Sequence, residues 1–368
     1  KILIENLTSP GDLVCDPMMG CGTSIEVASK CGRKAIGGDI NPIATLIAGV
    51  AVGGVNLGSN EIYQHWKAKL QEDFRVSVPQ KQDLPRRRDF HNWHIWFRPE
   101  VVKELYFLRG EISKFEDLSV RNFLYLSLSG ICRSVSNADP RDLYPQRDAK
   151  LPVRERMDVL AKFFAKVDSN EKLLAGSRPN ISKVDVARFD ARKIPLKNQT
   201  CQLVLFSPPY LDALDYTRVH QLSHFILGMG RGDLRKHRQE YLGSPLYKNL
   251  PLAASVSDRK FFEFGFKCGV SSKKRETLKR YLRELSQILS EARRILRPGG
   301  YLALIVGSPS SNKNIIPLSE YVTELSKEGG FKLVFEHERK YYLSNLSPER
   351  NSHARPLKSE MILVFQSA

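Results

Sequence analysis

An α/β fold built on a mostly parallel sheet is what this sequence predicts, and three observations carry that prediction. Strand and helix patterns alternate at short spacing over residues 1–55, the alternation resumes near residue 183, and a long stretch of different composition separates the two. Alternation of this kind is the mark of βα units whose strands run parallel. The chain has 368 residues, 42% of them hydrophobic and 9% aromatic. That is enough apolar material for one large domain or two, and too much for a disordered chain.

The first strand is "DLVCDP" (12–17), followed by a helix in "GTSIEVASKCG" (22–32) that closes on glycine. "KAIGGDI" (34–40) is the next strand, and "NPIATLIAGVAV" (41–52) opens a helix with Pro42 in its first turn, where no backbone donor is lost. Residues 60–180 read as mostly helical, with "EIYQHWKAKLQEDF" (61–74) and "PEVVKELYFLRGEI" (99–112) the clearest segments. Strand patterns return in "KVDVARFDARKIP" (183–195) and "QLVLFSPPY" (202–210). A basic segment at about 230–280 leads into the helix "RETLKRYLRELSQILSEARRIL", the turn "RPGG" and the strand "YLALIVG" (301–307). "GFKLVFEHERKYY" and "SEMILVFQ" close the chain as two strands able to pair as an antiparallel edge. The predicted organisation is one domain from 1–58 and 183–368, a helical insertion at 59–182, and a candidate target-recognition region at 230–275.

Charge narrows the classes of partner. Lys plus Arg number 57 against 40 Asp plus Glu, a net +17, which favours a polyanion such as nucleic acid. The six cysteines form no CxxC pair and no zinc-finger spacing with histidine, so they read as apolar packers in a reducing, cytoplasmic compartment (beside the nucleoid in a prokaryote), and no metal is expected. No apolar run approaches the ~20 residues that span a bilayer and no signal peptide opens the chain, so no membrane partner is expected. The first residue is Lys1 rather than Met, which points to a trimmed start.

Two motifs carry chemistry. "DLVCDPMMGCGTS" sets Asp16 at a strand end, Gly20 and Gly22 in the following turn, and Thr23 and Ser24 at a helix start. Glycines let backbone approach a ligand closely, and helix-start amides can bond it. Asp39 ends the next strand, 17 residues after Gly22, where a carboxylate can accept both hydroxyls of a ribose. Without a third glycine the turn is a poor pyrophosphate cradle, so a nucleoside without phosphates fits better than a dinucleotide. Asp190, beyond a third strand, reads either as an acceptor for an adenine amino group or as a cap or turn residue. The second motif is Ser207-Pro208-Pro209-Tyr210, a buried strand ending on a polar group held by two stiff peptide units. Such rigidity makes sense where something must be held in place.

Together, "DPMMGCGTS", "GGDINP" and "SPPY" resemble the S-adenosylmethionine-dependent amino-methyltransferases that modify DNA bases, over about residues 1–55 and 183–365. The resemblance implies a Rossmann-like, mostly parallel seven-stranded methyltransferase sheet, with the helical insertion forming a DNA-recognition lobe. It implies a methionine-binding loop in Asp16, Pro17, Gly20, Gly22, Thr23 and Ser24. Asp39 and Ile40 would meet the ribose side of S-adenosylmethionine, and Asp190 and Ala191 its adenine. The serine form is similar to cytosine-N4 enzymes, whereas Asp or Asn there is more usual for adenine-N6 enzymes. Two details depart from the pattern: Met18 replaces the usual aromatic after Asp-Pro, and the cofactor turn precedes the catalytic tetrapeptide.

On this reading Ser207 Oγ and the Pro208 carbonyl accept the two hydrogens of an exocyclic amine, the proline pair fixes those acceptors, and Tyr210 stacks on a base flipped out of the duplex. A carbon-5 methyltransferase would need a Pro-Cys nucleophile, and the sequence contains no Pro-Cys dipeptide. Double-stranded DNA is the expected partner, with a companion restriction endonuclease in prospect. Its phosphates would meet Arg86, Arg87 and Arg88, Arg218, the cluster Arg235, Lys236 and Arg238, and the cluster Lys273, Lys274 and Arg275. Trp93, Trp96 and Phe97 read as core. Adenine-N6 methylation, RNA amino-methylation and a non-catalytic nucleic-acid-binding role stand as alternatives.

Overall fold

A computed structural model of the chain describes residues 1–77, 92–139, 144–146, 155–175, 183–209, 216–229, 238–242, 272–307, 310–311, 314–315, 317–340 and 359–367. The chain opens with α1 (Ile2–Leu7), β1 (Leu13–Asp16), α2 (Thr23–Lys30), β2 (Lys34–Asp39) and α3 (Pro42–Gly53). Helices follow: α4 (Glu61–Ser77), α5 (Trp93–Trp96), α6 (Pro99–Ser113), α7 (Leu118–Ile131) and α8 (Val159–Ala175). Then come β3 (Val184–Arg188), β4 (Cys201–Phe206), α9 (Tyr216–Val219), α10 (Gln221–Leu227) and α11 (Ser272–Ile295). The chain ends with β5 (Leu296–Gly307), the short pair β6 (Ser310–Ser311) and β7 (Asn314–Ile315), α12 (Leu318–Glu328), β8 (Phe331–Lys340) and β9 (Ser359–Ser367).

Two compact units emerge. One comprises Lys1–Ile40, Asn180–Asp215 and Arg238–Ala368, and the other Asn41–Pro179 and Tyr216–His237. The junctions expected from sequence fell at 58/59 and 182/183. Residues 41–58 group instead with the helical unit, because α3 is apolar on most sides and its Ile43, Leu46 and Val50 join that unit's core.

The first unit is a Rossmann-like α/β layer structure. Its seven-stranded sheet has the order β3-β2-β1-β4-β5-β9-β8. β3, β2, β1, β4 and β5 pair in parallel, and β9 runs antiparallel to both β5 and β8. β4 is the central strand, and Cys201, Leu203, Val204, Leu205 and Phe206 are all buried there, as a parallel strand covered on both faces requires. α11 buries Leu278, Leu282, Leu285, Leu289 and Ala292 on one face at helical spacing, packed with Val204, Phe206, Leu302 and Leu304 in a single core. The two C-terminal strands pair as expected, but β9 lies inside and β8 at the edge, so β8 is exposed over most of its length. "RPGG" is taken into β5 as an irregularity rather than standing before it. Cys201 pairs with Leu296 and Leu203 with Tyr301, so six β5 positions answer three on β4, and Gly299 at φ +75° takes the bend.

The glycine pair in "GGD" answers to close packing. A Cβ at Gly37 would lie 2.4 Å from Met19 Sδ, and one at Gly38 would lie 2.0 Å from Cζ of Phe189. β2 therefore runs beneath a side chain of the glycine turn on one position and beneath the Phe189 ring on the next.

The second unit is helical. Its core gathers α3, α4, α6, α7, α8 and α10 around residues such as Leu105, Phe123, Leu128, Phe163 and Ile226. Trp93 and Phe97 are buried and Trp96 packs against the same core, as their sequence reading held. Asp117 caps α7 by accepting from Ser119 N–H at 2.8 Å, and Asn41 caps α3 through Ile43 N–H at 3.0 Å.

Candidate active site

The sheet register brings four strand ends together within the first unit. β1 lies between β2 and β4, with Asp16 opposite Gly37 and Cys15 opposite Val204. The connection after β1 runs to β2 and the one after β4 runs to β5, in opposite directions across the sheet, and such a switch opens a crevice at the carboxyl edge. Around that edge stand Asp16 at the end of β1, Asp39 at the end of β2, Phe189 and Asp190 just beyond β3, and Ser207 just beyond β4.

The glycine turn between β1 and α2 is held by both acids. Gly20 and Gly22 sit at φ +53° and +86°, the left-handed region that glycine enters without strain. Asp16 is buried; its carboxyl accepts from Met18 N–H at 3.0 Å and from the Ser24 hydroxyl. Asp39 Oδ2 accepts from Gly20 N–H at 3.1 Å, and Met19 N–H donates to the Gly38 carbonyl at 3.0 Å. No side chain caps α2, and a Cβ placed at Gly20 would meet nothing within 4 Å. The turn is thus pinned from inside while open space lies beside its glycine, which fits the polar methionine end of a nucleoside cofactor. Pro17 is buried, and Thr23 Oγ1 lies 3.3 Å from Cys21 Sγ. Asp16 and Ser24, predicted as cofactor contacts, spend their side chains on each other and on the turn.

Burial pushes the Asp16 carboxyl up to about 7; the bonds from Ser24 and Met18 oppose the shift and the nearby Asp39 carboxylate adds to it. An unfolded Asp titrates near ~4. Between those values the folded chain holds a proton that the unfolded chain has released, so this group's stabilising contribution is full at low pH, falls as pH rises through that window, and is flat above it. Asp16→Asn should flatten that slope. Thermal melts of the two proteins at about pH 5 and about pH 7.5 measure it, and an unchanged slope would show that Asp16 is not its source.

Beyond β3, Asp190 takes up the turn role that its sequence reading offered. Its Oδ1 accepts from Arg192 N–H at 2.9 Å, which makes a turn. Its carboxylate is also gripped by the Arg192 guanidinium, yet its side chain remains 39% exposed and reachable at the edge. Ala191 is buried, and the Ile40 carbonyl accepts from Arg188 Nε at 3.0 Å. At the end of β4, Ser207 is exposed and Pro208 buried. Ser207 Oγ donates to the Ile305 carbonyl of β5 at 2.9 Å. A hydroxyl has one proton, so toward anything else Ser207 can only accept.

Tyr210, Arg86, Arg87, Arg88, Arg235 and Lys236 lie outside the described residues, and Lys273, Lys274 and Arg275 are placed in α11 by backbone alone. Arg238 lies in the described segment 238–242 of the first unit. Arg218 belongs to the helical unit, where its guanidinium lies over the Tyr144 ring at 4.6 Å. The neighbouring His220 is half-buried, and loss of water there pushes its imidazole below its ordinary value. Sequence reasoning missed Arg192 and the Ile305 carbonyl. Arg192 had a local signal, a cation two residues after the acid, whereas Ile305 is 98 residues from Ser207 and had none. Among the described residues no group of His, Cys, Asp and Glu is placed to hold a metal ion, and no helix is long and apolar enough to cross a membrane.

Comparison with known proteins adds a chemical frame. A family of N6/N4 methyltransferases, described as DNA methylase, matches residues 1–48, the span from α1 through the glycine turn into α3. The Type II methyltransferase M.MvaI of Kocuria varians is 23% identical over 96% of this chain and 84% of its own length. The Type II methyltransferase M.BsoBI of Geobacillus stearothermophilus is 21% identical over 99% of this chain and 82% of its own. Among solved structures, an S-adenosylmethionine-dependent methyltransferase from Methanosarcina mazei aligns over 100% of this chain and 97% of its own, at 10% identity and a TM-score of 0.37.

Proposed function

We propose, from its similarity to DNA methylases over residues 1–48 and to Type II methyltransferases over most of its length, that this chain is an S-adenosylmethionine-dependent DNA amino-methyltransferase and that it methylates the exocyclic N4 amine of cytosine in a base flipped out of duplex DNA. The observation that carries this reading is Ser207, an exposed hydroxyl at the end of the central strand whose proton is committed to the Ile305 carbonyl.

An exocyclic amine conjugated with its ring is a weak nucleophile. It gains strength when both its hydrogens are drawn to acceptors and the nitrogen moves toward tetrahedral geometry. Ser207 Oγ accepts one hydrogen, and the Pro208 carbonyl, its peptide stiffened by Pro209, accepts the other. Preorganised acceptors of this kind act on the transition state, because they need not reorient as charge develops. Tyr210 supplies the flat face on which the flipped base stacks, worth roughly 1–3 kcal/mol. S-adenosylmethionine, when bound, supplies an electrophilic methyl group on a sulfonium. The Gly20–Thr23 backbone holds its methionine end, Asp39 and Ile40 its ribose, and Asp190 and Ala191 its adenine. The amine's surplus proton leaves to water, since a serine hydroxyl already donating to a carbonyl is no base.

The basic clusters at 86–88, 235–238 and 273–275 are assigned to DNA phosphates, and a companion restriction endonuclease suits the Type II setting of the relatives. The test is direct. Duplex DNA incubated with the protein and methyl-labelled S-adenosylmethionine is digested to nucleosides, and the label is expected in N4-methylcytosine. Label in N6-methyladenine alone would transfer the same acceptor chemistry to adenine. Preferential labelling of tRNA in competition would remove DNA as the target.

A further inference from the structure

Among the described residues at the carboxyl edge, Arg192 is a side chain held at several points that the proposed chemistry leaves unused. Its Nε lies 2.9 Å from Oδ1 and 3.0 Å from Oδ2 of Asp190, and its Nη2 lies 2.6 Å from Oδ2. With the Arg192 peptide N–H on Oδ1, the carboxylate cannot turn about its Cβ–Cγ bond without breaking several bonds. The guanidinium is itself anchored at two further points. Nη1 lies 3.2 Å from Glu284 Oε1 on α11, and Nη2 donates to the Glu240 carbonyl at 3.0 Å. Glu284 is buried and is also held by Arg280, at 3.1 and 3.2 Å. All of these groups lie in the sheet unit.

A planar fork fixed at three places does more than a point charge would. We infer that Arg192 is a positioning residue for the cofactor's purine: it locks the plane of the Asp190 carboxylate, and thereby makes the site prefer an adenine, which presents an amine there, over a 6-oxopurine, which presents a carbonyl. This rests on the proposed contact between Asp190 and the adenine amino group. The physical reason is one of freedom. A carboxylate held facing the purine edge bonds an amine and repels a carbonyl. One that can swing aside escapes the repulsion, and most of the discrimination disappears. A staple that merely closed the turn after β3 would need no such fixed plane.

Calorimetric titration of the full chain with S-adenosylhomocysteine and with S-inosylhomocysteine tests this. The wild-type protein is expected to favour the adenosyl ligand by about 10²-fold or more. Arg192→Met should narrow that ratio about tenfold, chiefly by letting the inosyl ligand bind better. Arg192→Lys, which keeps the charge and loses the fork, should narrow it too, and Asp190→Ala should abolish it. If Asp190→Ala abolishes the ratio while both Arg192 variants keep it, the inference about Arg192 is overturned and the Asp190 contact stands. If the ratio survives Asp190→Ala, the contact is wrong and the inference falls with it. Should Arg192→Met fail to fold, the lysine variant decides, and an intact ratio there overturns the proposal.

Discussion

Ser207→Ala should lower turnover by about 10²-fold or more while S-adenosylmethionine affinity stays within about twofold. Removal of one preorganised donor from an oxyanion hole costs about 10²–10³ in rate, and a preorganised acceptor is expected to act by the same physics. The groups assigned to the cofactor lie at the ends of β1, β2 and β3, whereas Ser207 follows β4. Its side chain is exposed, so truncation leaves no buried cavity, and the freed Ile305 carbonyl stays in the sheet through the pairing of Ile305 with Ile362. Ser207→Asp sharpens the point. A carboxylate also accepts hydrogens, but it has no proton for the Ile305 carbonyl and would face it with like partial charge, so it should recover only part of the lost rate. Single-turnover methyl transfer beside calorimetry separates rate from binding, and a Ser207→Ala rate within about threefold of wild type would remove this serine from the chemistry.

The sheet was legible because its evidence is local. "DLVCDP", "KAIGGDI" and "QLVLF" became β1, β2 and β4 because each is a short apolar run bounded by turn residues, and such runs have no better fate than a covered strand. The glycine turn was legible for the same reason: Gly20 and Gly22 occupy backbone conformations that few other residues enter. What escaped depends on pairing across long stretches of chain. The bulge that absorbs "RPGG" arises from the pairing of β4 with β5, and the inner place of β9 from its pairing with β5; neither partner is visible from within the segment. Residues 41–58 carry strand-adjacent helix signals, yet their apolar faces pack with α7, far on in sequence. At the site, residue types and spacing named the acids without assigning their bonds. Asp16 looked like a ligand-facing acid, and its partners are Met18 and Ser24.

Asp39→Ala should produce the opposite kinetic pattern. Asp39 holds the Gly20 N–H, and in the proposed function it also accepts from the cofactor's ribose, so its loss loosens the turn and removes a ligand at once. Hydrogen bonds to a charged group contribute about 1.5–3 kcal/mol each, and 1.4 kcal/mol is tenfold in affinity, so S-adenosylmethionine binding should weaken by about 10²-fold. Turnover at saturating cofactor should change little, because Ser207 and Pro208 are untouched. Asp39→Asn separates the two roles: its side-chain oxygen can still accept from Gly20 N–H, but it lacks the charge that a pair of ribose hydroxyls would meet. It should therefore fall between wild type and alanine. Removing the Asp39 charge also relieves one cause of the raised Asp16 carboxyl, so the pH window of Asp16 should shift downward in both variants. A fall in turnover with unaltered cofactor affinity would show that Asp39 serves the reacting base rather than the methyl donor, and the assignment of strand ends to ribose and amine would have to be exchanged.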